Sequence, residues 1–244
     1  MKKILGNLRR AVNDYKMIAD GDKIAVGISG GKDSLVLLDA LARYQKFAPE
    51  KFELVGIHID MGFKNGDTLG LEAVKAFFAE RDIPLIVEKT DIAEIVFDVR
   101  KEDNPCSLCS KMRRGALCSV ANREGCNKVA LGHHADDVLD TMLLSFFYEG
   151  RLSTFAPKSY MSRSDITVIR PLIYVSEGES AGAARRFEMP VIKSPCPADK
   201  FTKREDMKKI VEHICKEIPF AKDRMISAIQ NPERYNLWDK KETN

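Results

Sequence analysis

Hydrophobic positions along the first hundred residues change period several times, and each change marks an element boundary. Ile4, Leu8, Val12, Tyr15 and Ile18 recur at helical spacing and predict a helix over residues 1–20. Gly21-Asp22 ends it, and the apolar run from Lys23 to Ile28 predicts a buried strand. From Asp33 to Phe47, the stripe Leu35, Leu38, Leu41, Ala42 is that of a helix packed on a sheet. The alternation continues with a strand over 52–59, a helix over 68–81, a strand over 84–88 and a short helix over 92–96. It stops at Asn104-Pro105-Cys106. Beyond that point a helix over 107–123, a strand over 128–131, a helix over 136–147 and a strand over 167–169 are predicted. After Pro195 the chain turns charged, with helices over 202–216 and 220–229 before a polar tail. Strands alternating with helices require right-handed crossovers, so the expected fold class is α/β, doubly wound on a mostly parallel sheet. The expected organisation is an N-terminal helix over 1–20, a sheet domain over 21–198 with an insertion near 104–123, and a C-terminal helical segment and tail over 199–244.

At 244 residues the chain can bury one sizeable core, and 44% hydrophobic with 31% charged residues excludes wholesale disorder. A formal net charge of +3 neither demands nor excludes a nucleic-acid partner, because clustering of charge on one face decides that. No run approaches the roughly 18 apolar residues of a membrane span. The start, Met1 to Arg10, lacks the long apolar core and cleavage site of a signal peptide. A cytoplasmic protein without a membrane partner is expected. Six cysteines in that compartment point to metal or redox chemistry ahead of structural disulfides.

Ser29-Gly30-Gly31-Lys32-Asp33-Ser34 lies between a predicted strand and a predicted helix. Two glycines let the backbone approach an anion and point N–H groups at it, and the helix N-terminus adds partial positive charge. Lys32 supplies a mobile countercharge, and Ser29 and Ser34 supply hydroxyl donors. The spacing matches neither a Walker loop nor a dinucleotide-binding loop. His58-Ile59-Asp60 ends the second strand, on the edge where open α/β sheets bind ligands; His58 also reads as a simple strand cap. Gly132-His133-His134-Ala135-Asp136-Asp137 follows the strand over 128–131 and opens a helix on the same edge. An acidic residue there either holds Mg²⁺ against phosphate oxygens or caps the helix.

Cys106 and Cys109, three apart at a helix start, form half of a metal site or a redox dithiol, beside Lys111, Arg113 and Arg114. Cys196, held between Pro195 and Pro197, is a third candidate. Cys118, Cys126 and Cys215 read as ordinary packed thiols.

The Ser29–Ser34 loop resembles the PP-loop of the ATP pyrophosphatases, which cleave ATP between the α and β phosphates and place adenylate on a substrate oxygen. With Pro105-Cys106-x-x-Cys109-x-x-x-Arg113-Arg114-Gly115, the Gly132–Asp137 motif, Ile169-Arg170-Pro171-Leu172 and Pro195-Cys196, the chain from Ile24 to Cys196 is similar to the tRNA 2-thiocytidine synthetases. That resemblance implies an ATP-dependent tRNA sulfurtransferase that adenylates O2 of a cytidine and replaces it with sulfur. It implies ATP held by Ser29, Gly30, Gly31, Lys32, Asp33, Ser34, His58, Asp60, Gly132 and His133, with Mg²⁺ from Asp137. It also implies a [4Fe–4S] cluster on Cys106, Cys109 and Cys196, catalysis by those cysteines with Lys32 and Asp137, a sulfur donor (a cysteine desulfurase or free sulfide), and a homodimer as in some relatives. The chain departs from the family pattern at Ala135, where arginine is usual, at Asp140, where glutamate is usual, and after Cys196, where a second cysteine is usual.

Three readings stand beside this one: a cluster-free thiolase using a Cys109–Cys196 persulfide and disulfide pair, another PP-loop adenylating enzyme, and a non-catalytic nucleotide- or RNA-binding module with zinc. If RNA binds, Arg113, Arg114, Lys158, Arg163, Lys203, Arg204, Lys208 and Lys209 are the basic candidates for its backbone, each also readable as plain surface charge. A base in a folded loop must be splayed out, at a cost of a few kcal/mol.

Overall fold

The structure is a computed structural model that describes residues 1–63, 68–101, 105–197 and 203–237. The expected start of a helix at Thr202 and the expected domain boundary at 198/199 lie outside the described residues. The chain forms two compact units, one of residues 1–136 and 156–199, the other of residues 137–155 and 200–244.

The first unit contains helix α1 (Lys2–Asp14), strand β1 (Asp22–Ile28), α2 (Lys32–Gln45), β2 (Phe52–Asp60), α3 (Thr68–Ala79) and β3 (Leu85–Lys89). A π-helical turn (Glu94–Arg100), α4 (Pro105–Arg123), β4 (Lys128–Ala130) and the start of α5 (Ala135–Glu149) follow, then β5 (Lys158–Met161), β6 (Ile166–Ile169) and α6 (Glu177–Arg186). Among the described residues, six strands make one sheet in the order β3-β2-β1-β4-β6-β5, parallel except for β5 against β6. The strand order reverses between β1 and β4, which is where a doubly wound sheet opens a crevice at its carboxyl edge.

Both faces of the sheet are covered, which is why β1 is buried almost throughout. Ala25, Val55, Ile57 and Ile59 pack with Leu117, Cys118, Val120 and Ala121 of α4 and with Ile92 and Val96. The opposite pleat takes α3: a Cβ on Gly56 would collide with the Phe78 ring. Helix α2 lies beside α3, since buried Asp39 binds Arg43 at 2.8 Å and Arg81 at 3.0 Å.

The predicted first helix ends early. Lys16 takes a left-handed φ of 46° and the Asp22 carboxylate accepts the Ala19 N–H at 2.6 Å, so Met17 and Ile18 are buried in a bend. Strand β5 and helix α6 have no counterpart in the periodicity. Strand β5 is four residues at the sheet edge, with Tyr160 exposed, and only pairing with β6 makes it a strand. Helix α6 carries glycine, serine and alanine in place of an apolar stripe; its start is set by the Ser176–Glu179 capping box, and Ser180, Ala183 and Ala184 are buried.

The second unit joins the rest of α5 to α7 (Lys203–Glu217) and α8 (Ala221–Gln230). Leu139 and Leu143 of α5 pack on Met207 and Val211 of α7. No described helix is long and apolar enough to cross a membrane.

At the amino edge of the sheet, Asp22 receives the buried Lys128 ammonium and the Asn127 amide, the latter at 2.8 Å. Asp22→Ala leaves a buried cation uncompensated, and chemical denaturation should show a loss of about 3–5 kcal/mol.

Candidate active site

Strand β1 delivers Ser29 to the carboxyl edge, and Gly30 turns the chain with φ of 80°, a region that favours glycine. Gly31 is the N-cap of α2 and has no capping side chain, so the first-turn N–H groups of α2 lack intrahelical acceptors. The hydroxyls brace the turn from within: Ser34 donates to the Gly31 carbonyl at 2.8 Å, and Ser29 Oγ accepts the Gly31 N–H at 3.2 Å. This is a preshaped anion cradle.

Charge gathers over it. Lys32 Nζ binds Asp33 at 3.0 Å and Glu177 of α6 at 3.1 Å. Burial works against the Lys32 charge, but the two carboxylates outweigh it and hold its pKa above the usual lysine value. Ser180, one turn along α6 from Glu177, donates to Asp33 at 2.5 Å. Asp136 accepts the Glu177 N–H at 2.8 Å, and the buried His134 ring lies between Asp33 and Asp136, at 3.8 and 3.9 Å. Gly132 touches the first turn of α2 so closely that a Cβ there would sit 3.0 Å from the Asp33 carbonyl. The amino ends of α2, α5 and α6 therefore meet at one place.

Ser29, Gly30, Gly31, Lys32, Asp33, Ser34, Gly132 and His133 thus share the carboxyl edge with His58 and Asp60. The His58 ring is hydrogen-bonded through Nδ1 to the Ile28 carbonyl at 2.9 Å, next to the loop. Asp60 accepts the Gly62 N–H at 3.0 Å. Asp137 belongs to the second unit and accepts from Arg204 at 3.1 Å.

The cysteines differ in burial, and Cys215 is half-buried. Cys118 and Cys126 are buried, and burial pushes both thiols up in pKa. Cys106 is exposed, and Cys109 and Cys196 are half-buried; all three are free. Burial raises the Cys109 pKa, Arg113 opposes that rise, and the charges of Cys196 and Cys106 add to it. Cys109 thus feels both Cys106 and Cys196, although no described group of three His, Cys, Asp or Glu residues is closed into metal-binding geometry. Cysteine thiolates are the donors that iron–sulfur centres take, usually four of them, so these three suit such a group with one position left to another ligand. The segment leading to Cys196 is tied to the loop, because the Ile192 N–H donates to the Gly30 carbonyl at 2.9 Å.

Arg170, which follows β6, donates to the Ala156 carbonyl at 2.6 Å. Burial, with Arg114 nearby, lowers its pKa to about 10, which leaves it charged at neutral pH. Of the basic candidates for an RNA backbone, Lys158 donates to the distant Lys16 carbonyl at 2.5 Å, while Lys203 pairs with Asp206 at 3.9 Å and Lys208 with Glu205 at 3.6 Å on their own helix.

Glu177 and Ser180 were not among the residues singled out from the sequence. The detectable signal was Ser176-x-x-Glu179, a helix-start signature that puts residue 177 in the first turn, where a ligand would meet it.

Comparison with known proteins agrees with this geometry. A family model described as a PP-loop domain matches residues 2–212. A tRNA-cytidine(32) 2-sulfurtransferase of Geobacter sulfurreducens is 39% identical over 243 residues, covering 98% of this chain and 93% of that protein. The protein of the same name from Syntrophotalea carbinolica is 37% identical over 242 residues, covering 98% and 91%. Among solved structures, the U34-tRNA thiolase NcsA of Methanococcus maripaludis with its [4Fe–4S] cluster superposes with a TM-score of 0.79 at 27% identity, over 98% of this chain and 80% of that one. The NH3-dependent NAD synthetase of Campylobacter jejuni shares the fold alone, with a TM-score of 0.52 at 12% identity over 98% of each chain. The chain belongs to the PP-loop domain family.

Proposed function

We propose that this protein is a cytoplasmic ATP-dependent tRNA sulfurtransferase that converts a cytidine to 2-thiocytidine. The observation that carries the reading is the join between its two halves: the phosphate cradle and the segment bearing the third thiol share the Ile192–Gly30 hydrogen bond. The names of the relatives supply the substrate class, a tRNA cytidine.

In this mechanism the first-turn amides of α2 and the hydroxyls of Ser29 and Ser34 receive the pyrophosphate portion of ATP. Lys32, kept protonated by its carboxylate neighbours, faces the charge that develops as the α–β bond breaks. His58 and Asp60 take the adenine side, and His133 and Gly132 close the edge around the α-phosphate. Asp33 and Asp136 offer carboxylate oxygens for Mg²⁺, and Asp137 of the same motif is proposed for that role too. Cytosine O2 attacks the α-phosphorus and pyrophosphate leaves. Sulfur then attacks C2 and AMP departs. Cys106, Cys109 and Cys196 would hold a [4Fe–4S] cluster, which when bound supplies a Lewis-acidic iron that presents sulfur as a nucleophile. The sulfur itself comes from a cysteine desulfurase or from free sulfide.

The electrostatic influence of Cys196 on Cys109 supports a second reading without iron, in which one of the two takes the outer sulfur of a desulfurase persulfide by thiol exchange, and the other forms a disulfide with it as that sulfur leaves for C2, an external thiol reducing the disulfide afterwards. Iron and labile sulfide in anaerobically purified protein separate the two. Cys106→Ala is expected to lose both, and to lose thiolation of tRNA, while releasing pyrophosphate near the wild-type rate. Persistent thiolation without iron would overturn the cluster reading.

Gly30→Ala tests the cradle. Placing a side chain at φ of 80° and against Ile192 costs about 1–2 kcal/mol or more, so the Kd for ATP should rise about tenfold in calorimetric titration.

A further inference from the structure

We infer that Glu177 is a positioning residue of the nucleotide site, an anchor that holds the Lys32 ammonium over the cradle while leaving one of its protons for phosphate. The inference rests on the nucleotide reading above and adds a residue and a role to it.

Two residues on one face of α6 grip two residues of the first turn of α2. Glu177 binds Lys32 at 3.1 Å, and Ser180, three positions on, binds Asp33 at 2.5 Å. The Ser180 side is sealed, with that residue fully buried, whereas the Lys32–Glu177 pair keeps about a third of each side chain open (29% and 33% exposed), so a ligand can reach it. Glu177 is itself fixed at its backbone, where its N–H donates to Asp136. The carboxylate thus projects from a rigid helix end and is not a mobile surface charge.

The stoichiometry of donors gives the role. A lysine ammonium has three protons. Asp33 and Glu177 take two, and the third can meet a phosphate oxygen without either anchor being lost. When Mg²⁺ draws on Asp33, Glu177 alone keeps the ammonium in line with the cradle. The same carboxylate opposes anion binding, because it places a negative charge about 3 Å from the group that attracts phosphate. Glu177 therefore acts on affinity and on turnover in opposite senses. A residue that merely stabilises α6 would not.

The test is Glu177→Gln in the full chain. It keeps the backbone bond to Asp136, and far-UV circular dichroism and thermal melting check that the helix survives. Inorganic pyrophosphate without metal should bind the variant about threefold or more tightly than wild type, since a repelling charge is gone. Pyrophosphate release from saturating ATP should slow about tenfold or more, since Lys32 loses its anchor. Glu177→Asp should recover most of that rate. Equal affinity and equal rate in Glu177→Gln overturn the inference, as does weaker pyrophosphate binding. If the wild-type chain binds neither ATP nor pyrophosphate, the nucleotide reading falls and the inference falls with it.

Discussion

The amino end of α2 is held by contacts from segments far apart in sequence, and everything at the carboxyl edge is arranged around it. Gly132 presses on its backbone, Ser180 and Glu177 bind its first two side chains, and Ile192 binds the turn that precedes it. A helix start with open N–H groups is a poor place to be left without an anion, since partial positive charge is concentrated there. The carboxylates of Asp33 and Glu177 hold the Lys32 ammonium beside that helix start, and Asp33 and Asp136 flank the His134 ring. A polyphosphate can then be met by the remaining donors of this end, the Lys32 contacts to Asp33 and Glu177 staying in place.

The opposite edge of the sheet has a different character. There Asp22, Asn127 and Lys128 form a closed set with β1 and β4 as its walls, and Asp22 also ends the bend after α1. Asp39 performs a similar service between α2 and α3, with Arg43 and Arg81. These buried charges are fully partnered, so they fix register and helix position without drawing in solvent. Charge at one edge is locked, while charge at the other stays exchangeable.

Much of this was readable from the chain itself. The strand–loop–helix unit around Ser29–Ser34 was legible because a tight turn onto a helix start restricts residue choice so severely. The strands β1 to β4 were legible because sheets covered on both faces need apolar runs. Helix α6 was not, since its stability comes from a capping box and from close approach to α2 through alanine and serine, which leave no periodic signature. Glu177 was hidden with it. Strand β5 escaped for a related reason: Lys158-Ser159-Tyr160-Met161 has no strand character apart from its partner β6. The grouping of Cys196 with Cys106 and Cys109 is an implication of the family motifs, whereas the tether of its segment to the loop is a backbone contact, which side-chain chemistry does not announce.

That tether carries mechanical weight. Gly30 contributes its carbonyl to Ile192 and, lacking a side chain, makes room for it, so the turn that meets ATP and the arm that ends in a thiol cannot be displaced independently. Three residues separate Ile192 from Cys196, with Pro195 stiffening the path. The same backbone bond thus fixes where the segment leading to Cys196 starts relative to the turn before α2.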